Sequence, residues 1–353
     1  MKFDDLAAYV PEVERLLRKT YRDELSRAPP RVRPHIELLE EFTLRGGKRM
    51  RALLVLAGFH LATQRAPDPA LPVAAALEHF QSWMLVHDDL IDHSDVRRGG
   101  PTLHRQLEGR HRESSWAGTS ESYGVGMGIT LGDLEEPFTV GAILGCKVAP
   151  ARRLRALEEY VRMTRLTAYG QVLDIENALA PVGDVRELDV LLVHQLKSAV
   201  YSVAGPLRIG ALLGGAADGL VAALEEFGLA TGVAFQLRDD VLGAGLSLGD
   251  IGKSSNDLVE GKRTLLLVRA WHTSNADDHA TISKVLGNPA ATAEEIAAAK
   301  QVLVSSGSLA HSERRIAELQ ERAARPLKKS GSLTDEGRAL LQEIGDRLLY
   351  RTI

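Results

Sequence analysis

The stretch HDDLIDHSDVRR, residues 87–98, places four aspartates within eight positions and follows them with two adjacent arginines. Carboxylates at that density suit a hard divalent cation, and guanidinium forks match phosphate oxygens. LEHFQSWMLVHDDLID contains no helix breaker, so the aspartates are expected near the C-terminal end of a helix. Asp88 and Asp92 then stand at i and i+4 on one face, with Asp89 one position round. Carboxylates in that register repel each other and meet the unfavourable end of the helix dipole. A magnesium ion shared with substrate phosphates offsets that cost. A charged, solvated helix end is the alternative. A calcium EF-hand loop fits poorly, because its spacing and its glycine are missing.

Residues 233–264, VAFQLRDDVLGAGLSLGDIGKSSNDLVEGKRT, repeat the theme. Asp239 and Asp240 follow an apolar helical run, and Lys253 and Lys262 follow them in a glycine-rich context. Two acidic clusters with trailing bases, about 150 residues apart in a helical chain, suggest facing walls of one cavity that binds a metal-diphosphate. RGGKRMR, residues 45–51, adds a third basic group. Gly46 and Gly47 would let Lys48, Arg49 and Arg51 be presented at a helix N-terminus, itself an anion site. A net charge of −4 argues against a nucleic-acid partner.

The elements that must position these groups are helices. Aromatic residues make up only 5% of the 353-residue chain, and apolar residues recur every three or four positions rather than alternating. PEVERLLRKTYRDEL starts on Pro11, a long helix is expected from about Leu154, and Thr292 is a plausible N-cap. None of the short breaks looks like an interdomain linker. The expectation is one all-α domain over residues 1–353, a bundle of about a dozen helices large enough to hold a cavity lined by several of them. His79 is expected to pack on its apolar helix. Residues 111–122 are expected to be a surface connection. No uninterrupted apolar stretch reaches about 18 residues, so no membrane span is expected. The single Cys146 excludes an intrachain disulfide and fits a reducing cytoplasm, and the acidic N-terminus does not resemble a signal peptide.

GGKRMR, DDLIDHSDVRRGGPTLH, KSAVYSVAGPLRIGA, and FQLRDD followed by GK and EGKRT run in order from about residue 45 to 265. Together they resemble the trans-prenyl diphosphate synthases (polyprenyl synthetases). The resemblance implies the isoprenoid synthase fold, an all-α bundle around a deep central cavity, normally a homodimer. It implies Mg2+-dependent condensation of isopentenyl diphosphate with dimethylallyl, geranyl or farnesyl diphosphate. Asp88, Asp89 and Asp92 match the first metal-binding set, and Asp239 and Asp240 the second. Lys48, Arg51, Gln81 and Arg98 match positions that hold isopentenyl diphosphate. Arg97, Lys197, Lys253 and Lys262 match positions that hold the allylic diphosphate. Ser198, Tyr201 and Gln236 fall near the developing carbocation. Three magnesium ions and these cations would neutralise the diphosphate leaving group.

Three positions depart from the family pattern. Gly243 stands where many members have a third aspartate, Gln81 where many have histidine, and Ser198 where threonine is usual. Product length in the family is set four, five and eight positions before the first aspartate, here Met84, Trp83 and Phe80. Met84 is expected about 6 Å and Phe80 about 12 Å below Asp88. The bulk of Trp83 suggests a fifteen- or twenty-carbon product, with geranylgeranyl diphosphate favoured. Simple helix packing by Trp83 and Phe80 is the alternative. A class I terpene cyclase would not need the second diphosphate site, and a non-catalytic subunit would have lost first-motif aspartates.

Overall fold

Pro11 lies in the first turn of the helix Val10–Arg27, where a missing N–H costs nothing and a fixed φ favours the start. Thr292 caps Ala293–Ser305: its Oγ1 accepts from the Glu295 N–H at 3.2 Å, and the Glu295 carboxylate accepts from the Thr292 N–H at 2.9 Å. Both starts match their sequence signals. A computed structural model describes residues 1–246, 256–329, 331 and 333–350. Lys253 lies outside the described residues.

In chain order the elements are α1 (Phe3–Ala7), α2 (Val10–Arg27), α3 (Arg33–Leu44), α4 (Met50–Thr63), α5 (Leu71–Ile91), β1 (Val96–Arg97), β2 (Gly100–Pro101), α6 (Leu103–Glu113), α7 (Ser120–Gly145), α8 (Pro150–Leu179) and α9 (Glu187–Val193). A π-helix, His194–Ala204, follows. Then come α10 (Gly205–Gly214), α11 (Asp218–Gly243), α12 (Asn256–Val259), α13 (Leu265–Thr273), α14 (Ala276–Val285), α15 (Ala293–Ser305), α16 (Ser308–Lys329) and α17 (Asp335–Tyr350). The antiparallel pair β1–β2 is the only sheet among the described residues, so the fold is all-α. Short pieces such as α1, α9 and α12 divide the chain more finely than the dozen helices expected. The expected connection at 111–122 is partly helical, because α6 runs to Glu113 and α7 starts at Ser120.

The chain divides into two compact units, Met1–Glu159 with Pro206–Ala217, and Tyr160–Gly205 with Asp218–Ile353. In the first, Tyr21, Leu39, Phe42, Val86, Leu107 and Leu131 share one apolar cluster. A buried polar knot lies in the same unit. Glu135 accepts from the Tyr21 hydroxyl and from Thr43 Oγ1 at 3.0 Å, and stands 2.6 Å from His79 Nδ1. His79 is therefore packed, as its apolar helix suggested, and is also the partner of a buried carboxylate. Cys146 is buried, its thiol donating to the Pro69 carbonyl at 3.2 Å.

In the second unit the π-helix packs backbone to backbone. A Cβ on Gly170 of α8 would stand 2.2 Å from Lys197 N, and one on Gly232 of α11 would stand 2.6 Å from Ala199 Cα. Larger residues there would push the π-helix away. By length and composition α11 could cross a membrane, but 67% of its apolar window is buried by the protein itself. It is a core helix that carries Asp239 and Asp240 near its end.

Candidate active site

In the first unit, α5 ends where the sequence placed its end. The Asp92 N–H donates to the Asp88 carbonyl at 2.8 Å, and the Ser94 N–H to the Asp89 carbonyl at 2.9 Å. Asp88, Asp89 and Asp92 thus gather at the negative end of the helix dipole. Asp89 is only 1% exposed. Arg97 Nε donates to Asp89 Oδ1 at 2.6 Å, and Arg97 Nη2 lies 3.8 Å from Asp88 Oδ2. Asp89 Oδ2 is buried and accepts no hydrogen bond among the described residues. Burial pushes the Asp89 pKa up to about 6; Arg97 opposes that shift, and Asp88 and Asp92 add to it.

The β1–β2 hairpin carries the arginines. Its two-residue turn has φ of 52° at Arg98 and 76° at Gly99, the positive values a tight hairpin needs. Arg45 supports it from below. Arg45 Nη1 donates to the carbonyls of Pro101 at 2.8 Å and Arg97 at 3.2 Å, and the Arg45 carbonyl accepts from Arg98 Nη1 at 3.1 Å.

The third basic group behaves differently from expectation at one residue. Gly46, Gly47 and Arg49 all have positive φ before α4, and this turns Arg49 inward. Arg49 is buried. It donates to Glu14 at 3.2 Å and to the Thr43 and Leu44 carbonyls, and lies 3.8 Å from Glu78. A buried guanidinium needs those partners, so Arg49 is not presented to an anion. Lys48 is exposed and Arg51 half-buried. Desolvation and the neighbouring cations Arg49, Arg51 and Arg97 lower the Arg98 pKa, with Glu78 opposing them. Cations this crowded favour an anion among them. Gln81 is buried, and its Oε1 accepts no hydrogen bond among the described residues.

Among the described residues, no three carboxylate, imidazole or thiolate groups converge closely enough to enclose a metal unaided. Magnesium does not need such a cage, since one or two carboxylates plus substrate phosphates and water hold it. The buried Asp89 Oδ2, with no donor among the described residues, fits that ion.

Below the aspartates on α5, Phe80 is fully buried and meets Trp83 edge-to-face at 5.7 Å. Trp83 Nε1 donates to Asp133 of α7 at 3.3 Å, so its ring is anchored at both ends. Met84 is half-buried. His87 also turns toward α7, lying 3.5 Å from Asp133.

In the second unit, the π-helix carries Lys197, Ser198 and Tyr201. A π-helix of this length is uncommon, and such segments concentrate at functional sites. Lys197 Nζ pairs with Asp174 at 2.6 Å. Asp240 is buried; its Oδ1 accepts from Gln236 Nε2 at 3.1 Å, and its Oδ2 lies 3.2 Å from His194 Nε2. Asp239 is half-buried, one position round α11. Lys262 lies 3.4 Å from Asp257 and 2.8 Å from Glu260. Burial pushes the Asp257 pKa up to about 6; Lys262 opposes, while Asp240 and Glu260 add to it.

Sequence reasoning passed over His194 and Asp257. His194 offers no motif, since the π-register sets its distance from Asp240. Asp257 stands five residues before Lys262, a spacing with no meaning until the backbone folds over α11.

Residues 34–303 match the model of the polyprenyl synthetase family. The chain belongs to that family. A geranylgeranyl diphosphate synthase of Methanosarcina mazei is 32% identical over 75% of this chain and 74% of its own. A geranylfarnesyl diphosphate synthase of Aeropyrum pernix is 30% identical over 87% of this chain and 91% of its own. Among solved structures, a geranylgeranyl pyrophosphate synthase from Corynebacterium glutamicum, complexed with isoprenyl diphosphate and magnesium, is similar with a TM-score of 0.90. It is 30% identical and covers 99% of this chain and 100% of its own. This polyprenyl synthetase is a trans-prenyltransferase of the short-chain prenyl diphosphate synthase kind.

Proposed function

We propose that the enzyme joins isopentenyl diphosphate to an allylic diphosphate with magnesium as cofactor, three ions per active site, and that it stops at geranylgeranyl diphosphate. The observation that carries the metal is Asp89: buried, adjacent to Asp88, with one oxygen that accepts no hydrogen bond among the described residues. Bound magnesium would neutralise charge on the diphosphate leaving group. Asp88, Asp89 and Asp92 are its ligands in the first set, and Asp239 and Asp240 in the second. Lys48, Arg51, Gln81 and Arg98 bind isopentenyl diphosphate. Arg97, Lys197, Lys253 and Lys262 bind the allylic diphosphate, so Arg97 exchanges Asp89 for phosphate oxygens when substrate arrives. Ser198, Tyr201 and Gln236 present hydroxyl and amide dipoles to the developing cation. In this view residues 1–353 act as one catalytic domain.

Product length is read from Phe80, Trp83 and Met84, because the anchored Trp83 resists displacement by a growing chain. The names of the Methanosarcina and Corynebacterium relatives agree with twenty carbons, and that of the Aeropyrum relative favours twenty-five. A homodimer is supported by apolar side chains left exposed along two helices, Val125, Ile129 and Leu144 on α7 and Val161, Val172 and Leu179 on α8.

A product assay tests the function. Purified enzyme receives Mg2+, isopentenyl diphosphate and each allylic primer in turn, and products are sized by mass spectrometry after phosphatase treatment. A twenty-carbon alcohol is expected. A hydrocarbon would indicate a cyclase, and a stop at another length would keep the reaction and overturn the assignment of Trp83. Light scattering of the same sample is expected to give twice the chain mass.

A further inference from the structure

The hairpin that carries Arg97 and Arg98 is two residues long on each side, with Val96 facing Pro101 and Arg97 facing Gly100. A ribbon that short does not hold itself together in water. Its brace is Arg45, a basic residue that the motifs do not assign to substrate. One nitrogen, Nη1, reaches a carbonyl on each strand, Arg97 at 3.2 Å and Pro101 at 2.8 Å. Glu41 binds the other side of the guanidinium: Nε donates to its Oε1 at 2.7 Å, and Nη2 to its Oε2. Gln106 closes the ring, its Nε2 donating to Glu41 Oε2 and to the Pro101 carbonyl, both at 3.3 Å. All three Arg45 nitrogens are thus engaged within the protein.

Gly100 makes room for this brace. It has none of the positive φ that marks Gly99, so its backbone does not call for glycine. A Cβ built on Gly100 would strike Arg45 Nη1 and lie 2.7 Å from Arg45 Cζ and 3.1 Å from its Nε. The link also runs back. Arg98 Nη1 donates to the Arg45 carbonyl at 3.1 Å, and a Cβ on Gly47 would lie 3.2 Å from Arg98 Nη2. The loop that leads into Lys48 therefore rests against Arg98.

Resting on the isopentenyl diphosphate site proposed for Lys48, Arg51, Gln81 and Arg98, we infer that Arg45 is a positioning residue for that site. It braces the β1–β2 hairpin so that Arg98 serves the same diphosphate as Lys48 and Arg51, and Gly100 is the room that admits it. The brace has electrostatic work to oppose, because Arg49, Arg51 and Arg97 all repel Arg98. Cations held in place before substrate arrives lower the ordering cost of binding it.

The test is steady-state kinetics on the full chain, with Mg2+ and the allylic primer saturating and isopentenyl diphosphate varied. Arg45→Met keeps the alkyl stem and removes the brace. It is expected to raise the KM for isopentenyl diphosphate about 10- to 100-fold, with kcat within about threefold of wild type. Gly100→Ala is expected to reproduce that rise with Arg45 still present, because the end of a flexible side chain gives way before backbone does. The double variant is expected within about threefold of Arg45→Met alone, the non-additive result of two changes that break one contact. A wild-type KM in Arg45→Met would overturn the inference while leaving the prenyltransferase function standing. So would losses that multiply in the double variant. A fall in kcat as large as the rise in KM, with a lowered melting temperature, would make Arg45 a residue of the fold alone and overturn it too. If Gly100→Ala does not fold, the kcat and KM of Arg45→Met decide. A wild-type chain that never consumes isopentenyl diphosphate would overturn the proposed site and this inference together.

Discussion

At the end of α5, the buried Asp89 is answered by a guanidinium at 2.6 Å; at the end of α11, the buried Asp240 meets, among the described residues, an imidazole at 3.2 Å and an amide at 3.1 Å. The first partner is a fixed charge, and the second pair are a titratable ring and a neutral dipole. The first cluster also draws all its aspartates from one helix end, whereas the second has a carboxylate arriving from Asp257. A helix end supplies carboxylates cheaply in sequence, at i and i+4, but concentrates repulsion there. Bringing one carboxylate from a distant segment spreads the sequence signal and lets Lys262 come with it.

The largest effect is expected at Asp89. Asp89→Ala should lower kcat by on the order of 10³-fold, comparable to removing a preorganised charge-stabilising group. Steady-state elongation assays would show it, and wild-type turnover would contradict the metal role. Arg97→Ala leaves Asp89 buried without its cation, and should cost about 3 kcal/mol of stability in metal-free protein. Urea titration measures that. Adding Asp89→Asn to Arg97→Ala should return the stability but not the activity. If stability does not return, the pairing at 2.6 Å is not what Arg97 contributes.

His194→Ala should raise the Mg2+ concentration for half-maximal rate by about 10- to 100-fold, as for a group that orients a ligand. An unchanged metal requirement would show that the imidazole is only a packing partner. Acid should act on both clusters. Asp89 and Asp257 have folded pKa values of about 6, above the ordinary 3.8. The folded chain then holds more protons than the unfolded chain between about pH 4 and 6, so metal-free stability falls as pH rises through that window. Melting curves in EDTA should show this trend, and Asp89→Asn should flatten part of it. The smallest change in rate is expected from Trp83→Ala, within a few-fold of wild type, with products shifted to longer chains. Unchanged products would assign Trp83 to packing alone.

Much of the first cluster was legible because its geometry is local. A breaker-free apolar run fixes a helix, and 3.6 residues per turn then put Asp88 and Asp92 on one face. The Arg98–Gly99 turn was not legible, because arginine seldom takes positive φ and the hairpin and the Arg45 contact that hold it there come from tertiary packing. Arg49 misled for a related reason. It sits among the basic residues of RGGKRMR, but left-handed backbone turns it toward Glu14 and Glu78, both far away in sequence. The π-helix was hidden too, since its sequence reads as ordinary helix and its register depends on packing against Gly170 and Gly232.

Composition and periodicity were enough for an all-α chain, and the order of short motifs was enough for the family, because both depend on neighbours a few residues apart. Which basic residue turns inward, which imidazole faces Asp240, and which carboxylate stands over Gly243 depend on different elements of the chain meeting at atomic distances. Residue types can be read in one dimension. Burial, and the carboxylate pKa values it raises, arise only after packing has removed the water.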